Sequence, residues 1–292
     1  MKKTNILNGY FFIIGSAVLF GCMPLMAKHI YSEGINPISL VVLRNILSLP
    51  FLFTFGLIKK ESFKVALKAI PRVVSIGIFG CALTPLLLFY SYNYISGGTA
   101  TVFHFIYPAL VLLLYFLFSK EKMSRSNVVA IIMCVAGIAM FYDPNGYLDP
   151  TGALLALLSG LTYALYIFFL GKFGRVGMSN FVFSFYTTSG AAVVLLVVAI
   201  VTQSLVLPSS FLGWILCIAF ALLINVGAVV LFQCGTLIIG GQKASIMSTL
   251  EPITSLVVGF LAFGESISLL SAIGSLFVIS ASIFIALSKN NE

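Results

Sequence analysis

Hydrophobic residues fall into long runs along the whole chain, and short polar or charged breaks separate one run from the next. Most runs hold about 20 residues, enough for a helix to cross roughly 30 Å of hydrocarbon. Lipid offers no partner to a free backbone N–H or C=O, so each run is predicted to be a helix. The pattern predicts ten spans: 8–27, 37–58, 73–95, 99–118, 127–142, 151–171, 180–202, 211–233, 244–263 and 267–287.

Composition indicates the same class. The 292 residues are 60% hydrophobic and 8% charged, with a mean hydropathy of +1.14. A soluble domain carries roughly 25% charged residues, so a water-exposed surface could not be covered here. We therefore predict an all-α integral membrane protein whose first partner is the lipid bilayer. The net charge of +8 would favour a nucleic-acid partner in a soluble protein, but here the charges fall between spans and no nucleic acid is expected.

The basic residues predict an orientation. If the N-terminus is cytoplasmic, all of the 16 Lys and Arg residues except Lys28 and Arg44 lie in cytoplasmic segments. Membrane proteins typically concentrate Lys and Arg on that side. We expect a multi-pass protein of the cytoplasmic (inner or plasma) membrane with both termini in the cytoplasm.

The second half of the chain repeats the first at an offset of 144 residues. Residues 95–124 align with 239–268 without a gap, and nine of these 30 pairs are identical. Shared apolar composition explains matched Leu or Phe more easily than matched Gly, Pro and Glu. The identical pairs include Gly97/Gly241, Ala100/Ala244, Pro108/Pro252 and Glu121/Glu265.

The repeat predicts an architecture. Each copy holds five spans, an odd number, so the second copy enters the membrane in the opposite orientation. We predict ten transmembrane helices arranged as two inverted five-helix repeats, 1–145 and 146–292. Secondary transporters are built in this way, with the solute site near the bilayer midplane between the copies.

These residues resemble the pattern of a known family, the EamA-type transporters of the drug/metabolite transporter superfamily, over essentially the full chain. The resembling residues are Gly9, Gly21, Lys28, Leu43-Arg44 and the two copies of the Gly…Ala…Pro…Glu pattern. The resemblance implies a carrier for small metabolites, often one that exports amino acids or related compounds. It does not specify the solute.

Ionisable residues inside spans are costly and are therefore candidates for function. Three are clear: Arg44, His104 and Glu251. The 144-residue offset places His104 on Ser248 and Tyr107 on Glu251, and each pair within a span is spaced i, i+3, on one helix face. We expect these two faces to meet the solute. The alternative is that the groups satisfy each other or backbone carbonyls beside the prolines.

Each ionisable candidate has a functional and a structural interpretation. Glu251 could bind a substrate amine or take up a proton, or it could be a hydrogen-bonded group in a helix contact. His104 suits proton coupling because imidazole titrates near neutral pH, although a buried His is often only a hydrogen-bonding group. Arg44 could pair with an anionic group, or it could be a topology anchor that extends toward the interface or a partner in a helix–helix pair.

Other candidates are polar aromatic and amide residues within spans: Tyr163, Tyr166 and Asn225. Together they could form an amphipathic wall around a small zwitterion or aromatic compound. Prolines inside spans remove a helical hydrogen bond, so they are hinge candidates, or else sites of static packing. The hinge candidates are Pro24, Pro85, Pro108 and Pro252.

The predicted function is transport by alternating access, with export as the expected direction and a proton or counter-solute as the coupling partner. The chain is not expected to be an enzyme or to carry a cofactor or metal, since no cluster of His, Cys and carboxylates suits catalysis or metal binding. The Cys residues are five in number and lie in apolar segments. A channel or a non-transporting receptor or scaffold remains the alternative, and a monomer and a homodimer are equally compatible with the sequence.

Overall fold

The computed structural model describes residues 3–95, 97–119, 124–140, 149–174, 177–263 and 269–287, and every regular element in these ranges is helical. Glu121 and Glu265 of the predicted repeat lie outside these ranges. The α-helices are α1 (Lys3–Gly21), α2 (Met23–Ser32), α3 (Pro37–Ile58), α4 (Ile70–Gly77), α5 (Thr84–Ser91), α6 (Gly97–His104), α7 (Tyr107–Ser119), α8 (Arg125–Ala139), α9 (Pro150–Phe173), α10 (Asn180–Val201), α11 (Phe211–Phe220), α12 (Val229–Ile239), α13 (Gly241–Met247), α14 (Leu250–Phe263) and α15 (Leu269–Leu287).

Six helical stretches are long and apolar enough to cross a membrane, which confirms a multi-pass helical protein. They are Ile6–Ser32, Pro37–Ile58, Leu67–Ser91, Pro150–Phe173, Asn180–Val201 and Phe211–Ile239. Shorter apolar helices, including Tyr107–Ser119 and Arg125–Gly137, lie where further spans were predicted. Helix length therefore supports six of the ten predicted spans and does not establish the count of ten.

The fourth and ninth predicted spans are each interrupted by a short break next to a proline. In the fourth, α6 ends at His104 and α7 begins at Tyr107. In the ninth, the corresponding break separates α13, which ends at Met247, from α14, which begins at Leu250. The fourth break is followed by Pro108 and the ninth by Pro252. Each proline permits its break, because it has no N–H to donate to the carbonyl four residues earlier.

Two π-helical segments interrupt the third and eighth predicted spans at positions that the 144-residue offset also relates. The first π segment is Ile78–Leu83 and the second is Ala221–Ala228. A π segment shifts the direction of the side chains that follow it and is common at functional sites. Pro85 follows the first segment directly and lies in the first turn of α5. Pro24 has the same position in α2, after the break at Cys22.

The packing of the helices has a pattern that fits the repeat. α3 of the first half packs on α10 of the second, and α8 packs on α15. α1 packs on α12, and its counterpart α9 packs on α5. The outer surface carries exposed apolar side chains such as Phe11, Val193 and Leu261, which suit contact with lipid chains.

The two halves also contact each other at both ends of the α3–α10 pair. At one end, the Glu61 carboxylate accepts hydrogen bonds from the Ser179 hydroxyl (2.7 Å) and the backbone N–H of Phe181 (3.2 Å), at the N-terminus of α10. At the other end, Asn36 caps α3 and its Nδ2 donates to the carbonyl oxygen of Ser204 (2.7 Å). Each helix N-terminus is therefore bound by a loop of the other half.

Candidate functional site

A partly open cavity lies where the two halves meet. The first half contributes Arg44 from α3 and His104 from the end of α6. The second half contributes Tyr163 and Tyr166 from α9 and Glu251 from the first turn of α14. The cavity thus brings together five of the eight sequence-predicted binding or coupling candidates.

Arg44 is a buried cation on the cavity wall, with 3% of its surface exposed. Its guanidinium carbon lies 5.9 Å from the centre of the Phe89 ring. Its Nε is fully buried and has no hydrogen-bond partner among the described residues. A guanidinium is a strong bidentate donor for carboxylate and phosphate, so this side chain is equipped to hold an anionic group at the cavity.

Glu251 is a buried acid that the broken ninth span brings to the same cavity. It is 7% exposed, and its backbone N–H donates to the carbonyl oxygen of Ser248 (2.9 Å) across the break. No ion pair within 4.0 Å joins it to Arg44, both of them described residues. The cavity therefore has two groups of opposite formal charge that do not neutralise each other directly.

The approach of α1 to α14 helps to fix the position of Glu251. A Cβ atom built on Gly21 would lie 2.9 Å from the carbonyl oxygen of Glu251 and 2.4 Å from the Cβ of Thr254. The Ser255 hydroxyl donates to the carbonyl oxygen of Gly21 (2.9 Å). Only a glycine allows the two helices to lie this close together, which gives a physical reason for one residue of the family-like pattern.

An aromatic cluster forms the wall beside the two charges. The rings of Tyr163, Tyr166 and Phe232 lie with their centres 5.6–6.0 Å apart. The ring centres of His104 and Tyr163 are 5.4 Å apart, and the Nδ1 of His104 is 2.8 Å from the Ser159 hydroxyl. This wall offers ring faces to an apolar or aromatic part of a solute.

Three other candidates lie near the cavity but are not part of its lining. Tyr107 is fully buried and its ring contacts those of His104 and Tyr163. The Ser248 hydroxyl donates to the carbonyl oxygen of Ala244 (2.8 Å). Asn225 lies in the second π segment and contacts α3 instead of the cavity.

The hinge candidates occupy different places. Pro85 lines the cavity, while Pro24, Pro108 and Pro252 lie in or near first helical turns that follow the breaks described above. Whether they move stays a prediction.

Comparison with known proteins identifies the family of the chain. The profile described as the EamA-like transporter family matches residues 7–142 and 150–287, nearly the whole chain in two segments. The chain belongs to the EamA-like transporter family.

Several relatives of this EamA-like chain are named as transporters. An uncharacterized transporter of Clostridium kluyveri is 22% identical over 97% of this chain and 93% of that protein. The uncharacterized transporter YcbK of Bacillus subtilis is 25% identical over 91% and 88%. A third match, to an uncharacterized transporter of Archaeoglobus fulgidus, is 30% identical over 121 residues, which are 40% of this chain and 44% of that protein.

A solved crystal structure supports the same fold for the EamA-like chain. It aligns with a TM-score of 0.77 at 16% identity and covers 98% of this chain and 99% of the other. At this identity, the likeness bears on the fold alone.

The sequence patterns did not single out two residues of this EamA-like chain, one beside the cavity and one on its wall. Asn45 is fully buried next to Arg44 and bonds to both π segments. Asn45 carries a sequence signal, because an amide within an apolar run is unusual. Phe232 gave no signal, since one more Phe in an apolar run is indistinguishable from a lipid-facing residue.

Proposed function

We propose that this protein is a secondary transporter that moves a small zwitterionic metabolite, an amino acid or a related compound, across the cytoplasmic membrane by alternating access, with export as the direction. The observation that carries the proposal is the cavity between the two halves, which places Arg44 and Glu251 around one space beside aromatic rings. Arg44 binds the solute carboxylate, Glu251 binds its ammonium group, and Tyr163 and Tyr166 contact its side chain.

The broken helices support alternating access. In many secondary transporters, discontinuous helices form the solute site and the two halves rock around it. Here Glu251 lies directly after one break and His104 directly before the other. A small rotation of either half-helix would move a cavity residue without breaking a continuous helix.

The charge pattern supports the orientation proposed for this carrier. Both termini face the cytoplasm, because the basic residues then lie on the cytoplasmic side. The coupling partner is a proton or a counter-solute, and Glu251 is the group through which a proton would act, since a proton and a substrate amine compete for one carboxylate.

The decisive experiment uses the purified full chain in proteoliposomes loaded with single unlabelled amino acids. External labelled amino acid should accumulate transiently by counterflow without ATP. Ion currents far above carrier turnover would instead indicate a channel. Binding without flux would indicate a receptor, and the absence of binding and flux across the panel would contradict the proposed solute class.

Replacing the buried carboxylate tests its role directly. We expect Glu251→Gln to lower counterflow of a zwitterion by about tenfold or more and to flatten its pH dependence, because the amide cannot take up a proton. The matched control is Glu33→Gln. Glu33 does not line the cavity, and its carboxylate accepts a hydrogen bond from the Ser210 hydroxyl. Unchanged rate and pH profile in Glu251→Gln would exclude both proposed roles.

A further inference from the structure

A buried amide connects the two halves next to the cavity. Asn225, in the second π segment, donates through Nδ2 to the Ser48 hydroxyl (3.0 Å). The same Nδ2 lies 3.3 Å from the Oδ1 of Asn45 and 3.3 Å from the carbonyl oxygen of Arg44. All three partners lie within little more than one turn of α3, the turn that carries Arg44.

A second amide extends this contact to the other π segment. Asn45 donates through Nδ2 to the carbonyl oxygen of Cys81 (3.1 Å), in the first π segment, and to that of Val41 (2.8 Å) in its own helix. One side chain of α3 therefore touches both π segments, one from each half. We call Asn45, Ser48 and Asn225 the amide hub.

The amide hub lies in the interior of the protein, away from water. Its three side chains have no exposed surface. In surroundings of low dielectric, a hydrogen bond is stronger than in water, and an unmade one is costly. The Oδ1 of Asn225 has no partner among the described residues, so its Nδ2 contacts are what link this turn of α3 to the second π segment.

The amide hub lies beside residues of two helices that line the cavity. Arg44 precedes Asn45 directly and points its side chain at the cavity. Val229 and Phe232 follow Asn225 by about one and two helical turns and line the same cavity. The hub thus joins the backbone that carries the cation to the helix that carries part of the aromatic wall.

We propose that Asn225 and Asn45 are positioning residues that hold Arg44 toward the cavity and so set its recognition of the solute carboxylate. The role in recognition rests on the proposed function, whereas the orientation of residue 44 does not. Neither amide contacts the solute. Each acts through the α3 turn, and the rigid link places Arg44 against walls contributed by the other half.

The orientation can be measured without transport. In full-length protein whose five natural cysteines are replaced by alanine, Arg44→Cys places a thiol at the cavity wall. We expect the anionic reagent sulfonatoethyl methanethiosulfonate to label it, and Asn225→Ala to lower the labelling rate by about tenfold, because the turn loses three contacts. An unchanged rate would overturn the proposal whatever the protein transports.

The consequence for recognition is measured with L-phenylalanine and its amide, which lacks the carboxylate. We expect Asn225→Ala to raise KM for L-phenylalanine by about tenfold with the maximal rate preserved within about twofold, and to leave KM for the amide nearly unchanged. A merely structural role would lower the maximal rate for both compounds alike, and that result would overturn the proposal. If neither compound is transported by the parent protein, the labelling experiment decides.

Two further variants keep the test independent of folding. Asn127→Ala is the matched control, since the Nδ2 of Asn127 also donates to the other half, to the Oε1 of Gln242 (2.8 Å), and neither residue lines the cavity. It should leave both KM values unchanged. If Asn225→Ala fails to purify as a single species, Asn45→Ala removes the hub from the other side and should give the same selective effect. A failure of Asn45→Ala to alter labelling or KM would contradict the proposal that the amide hub positions Arg44.

Discussion

Two arginines in the described part of the chain lie over phenylalanine rings, and their surroundings differ. Arg44 lies 5.9 Å from the Phe89 ring, is almost fully buried and faces the cavity. Arg72 lies 5.0 Å from the Phe173 ring and is exposed. Water and salt screen an exposed cation, whereas a buried cation has only its few neighbours for compensation. The same pairing with an aromatic ring is therefore a surface contact at Arg72 and part of the cavity lining at Arg44.

This difference predicts the outcome of a matched pair of substitutions. Arg44→Gln should raise KM for a carboxylate-bearing solute by about tenfold or more, and Arg44→Lys should recover only part of the loss, because an ammonium cannot form the planar double contact of a guanidinium. Arg72→Gln should leave KM unchanged. Counterflow kinetics of the three variants at one pH make the comparison, and equal KM values in parent and Arg44→Gln would remove Arg44 from the solute site.

The sequence predicted candidate site residues where a charged or polar side chain lies within an apolar run. Arg44, His104 and Glu251 stand out because charge is rare in apolar runs, and the structure brings them to one cavity. Asn225 stands out for the same reason, yet it contacts α3. Sequence alone could not decide this, because a π segment turns the helix face by an amount that no 3.6-residue periodicity anticipates.

At the scale of elements, the site depends on where helices stop being regular. The breaks at residues 105–106 and 248–249 and the two π segments lie on the lining helices or directly beside them. The prolines predicted the breaks only in part. Pro50 lies inside α3, where the helix continues, while Pro108 and Pro252 follow breaks. A proline therefore permits a break, and tertiary contacts determine whether one forms.

Close helix packing gives a prediction at this scale. Gly21→Ala should lower the free energy of unfolding by about 1–3 kcal/mol, because its Cβ would overlap Thr254 and the backbone at Glu251. The matched control on the same helix is Gly15→Ala, whose Cβ would meet Leu231 at an ordinary 3.5 Å. Thermal unfolding of both variants in detergent tests this, and equal melting temperatures would mean that α1 and α14 are not closely packed in the protein.

At the scale of the whole molecule, the distribution of basic residues predicts an orientation that can be tested. Lys64 and Gln203 are both exposed in short connections, before α4 and after α10 respectively. The proposed topology places Lys64 in the cytoplasm and Gln203 outside.

Single cysteines at these positions should respond differently to a membrane-impermeant thiol reagent. With the natural cysteines replaced, intact cells should label Gln203→Cys and protect Lys64→Cys, and permeabilised cells should label both. The reverse pattern in intact cells would invert the topology, and labelling of both positions would contradict the number of spans between them.

The crossed contacts at the ends of the α3–α10 pair bear on how such a chain could have arisen. Glu61 of the first half completes the start of α10, and Ser204 of the second half accepts from the residue that caps α3. Without the first half, the start of α10 would lose its acceptor Glu61, and without the second half, the amide of Asn36 would lose its acceptor at Ser204. If the halves descend from a duplication, their single-copy ancestor would have gained these bonds only by pairing with a second copy of itself inserted upside down. Fusion of the two genes would then have made permanent a partnership that already existed.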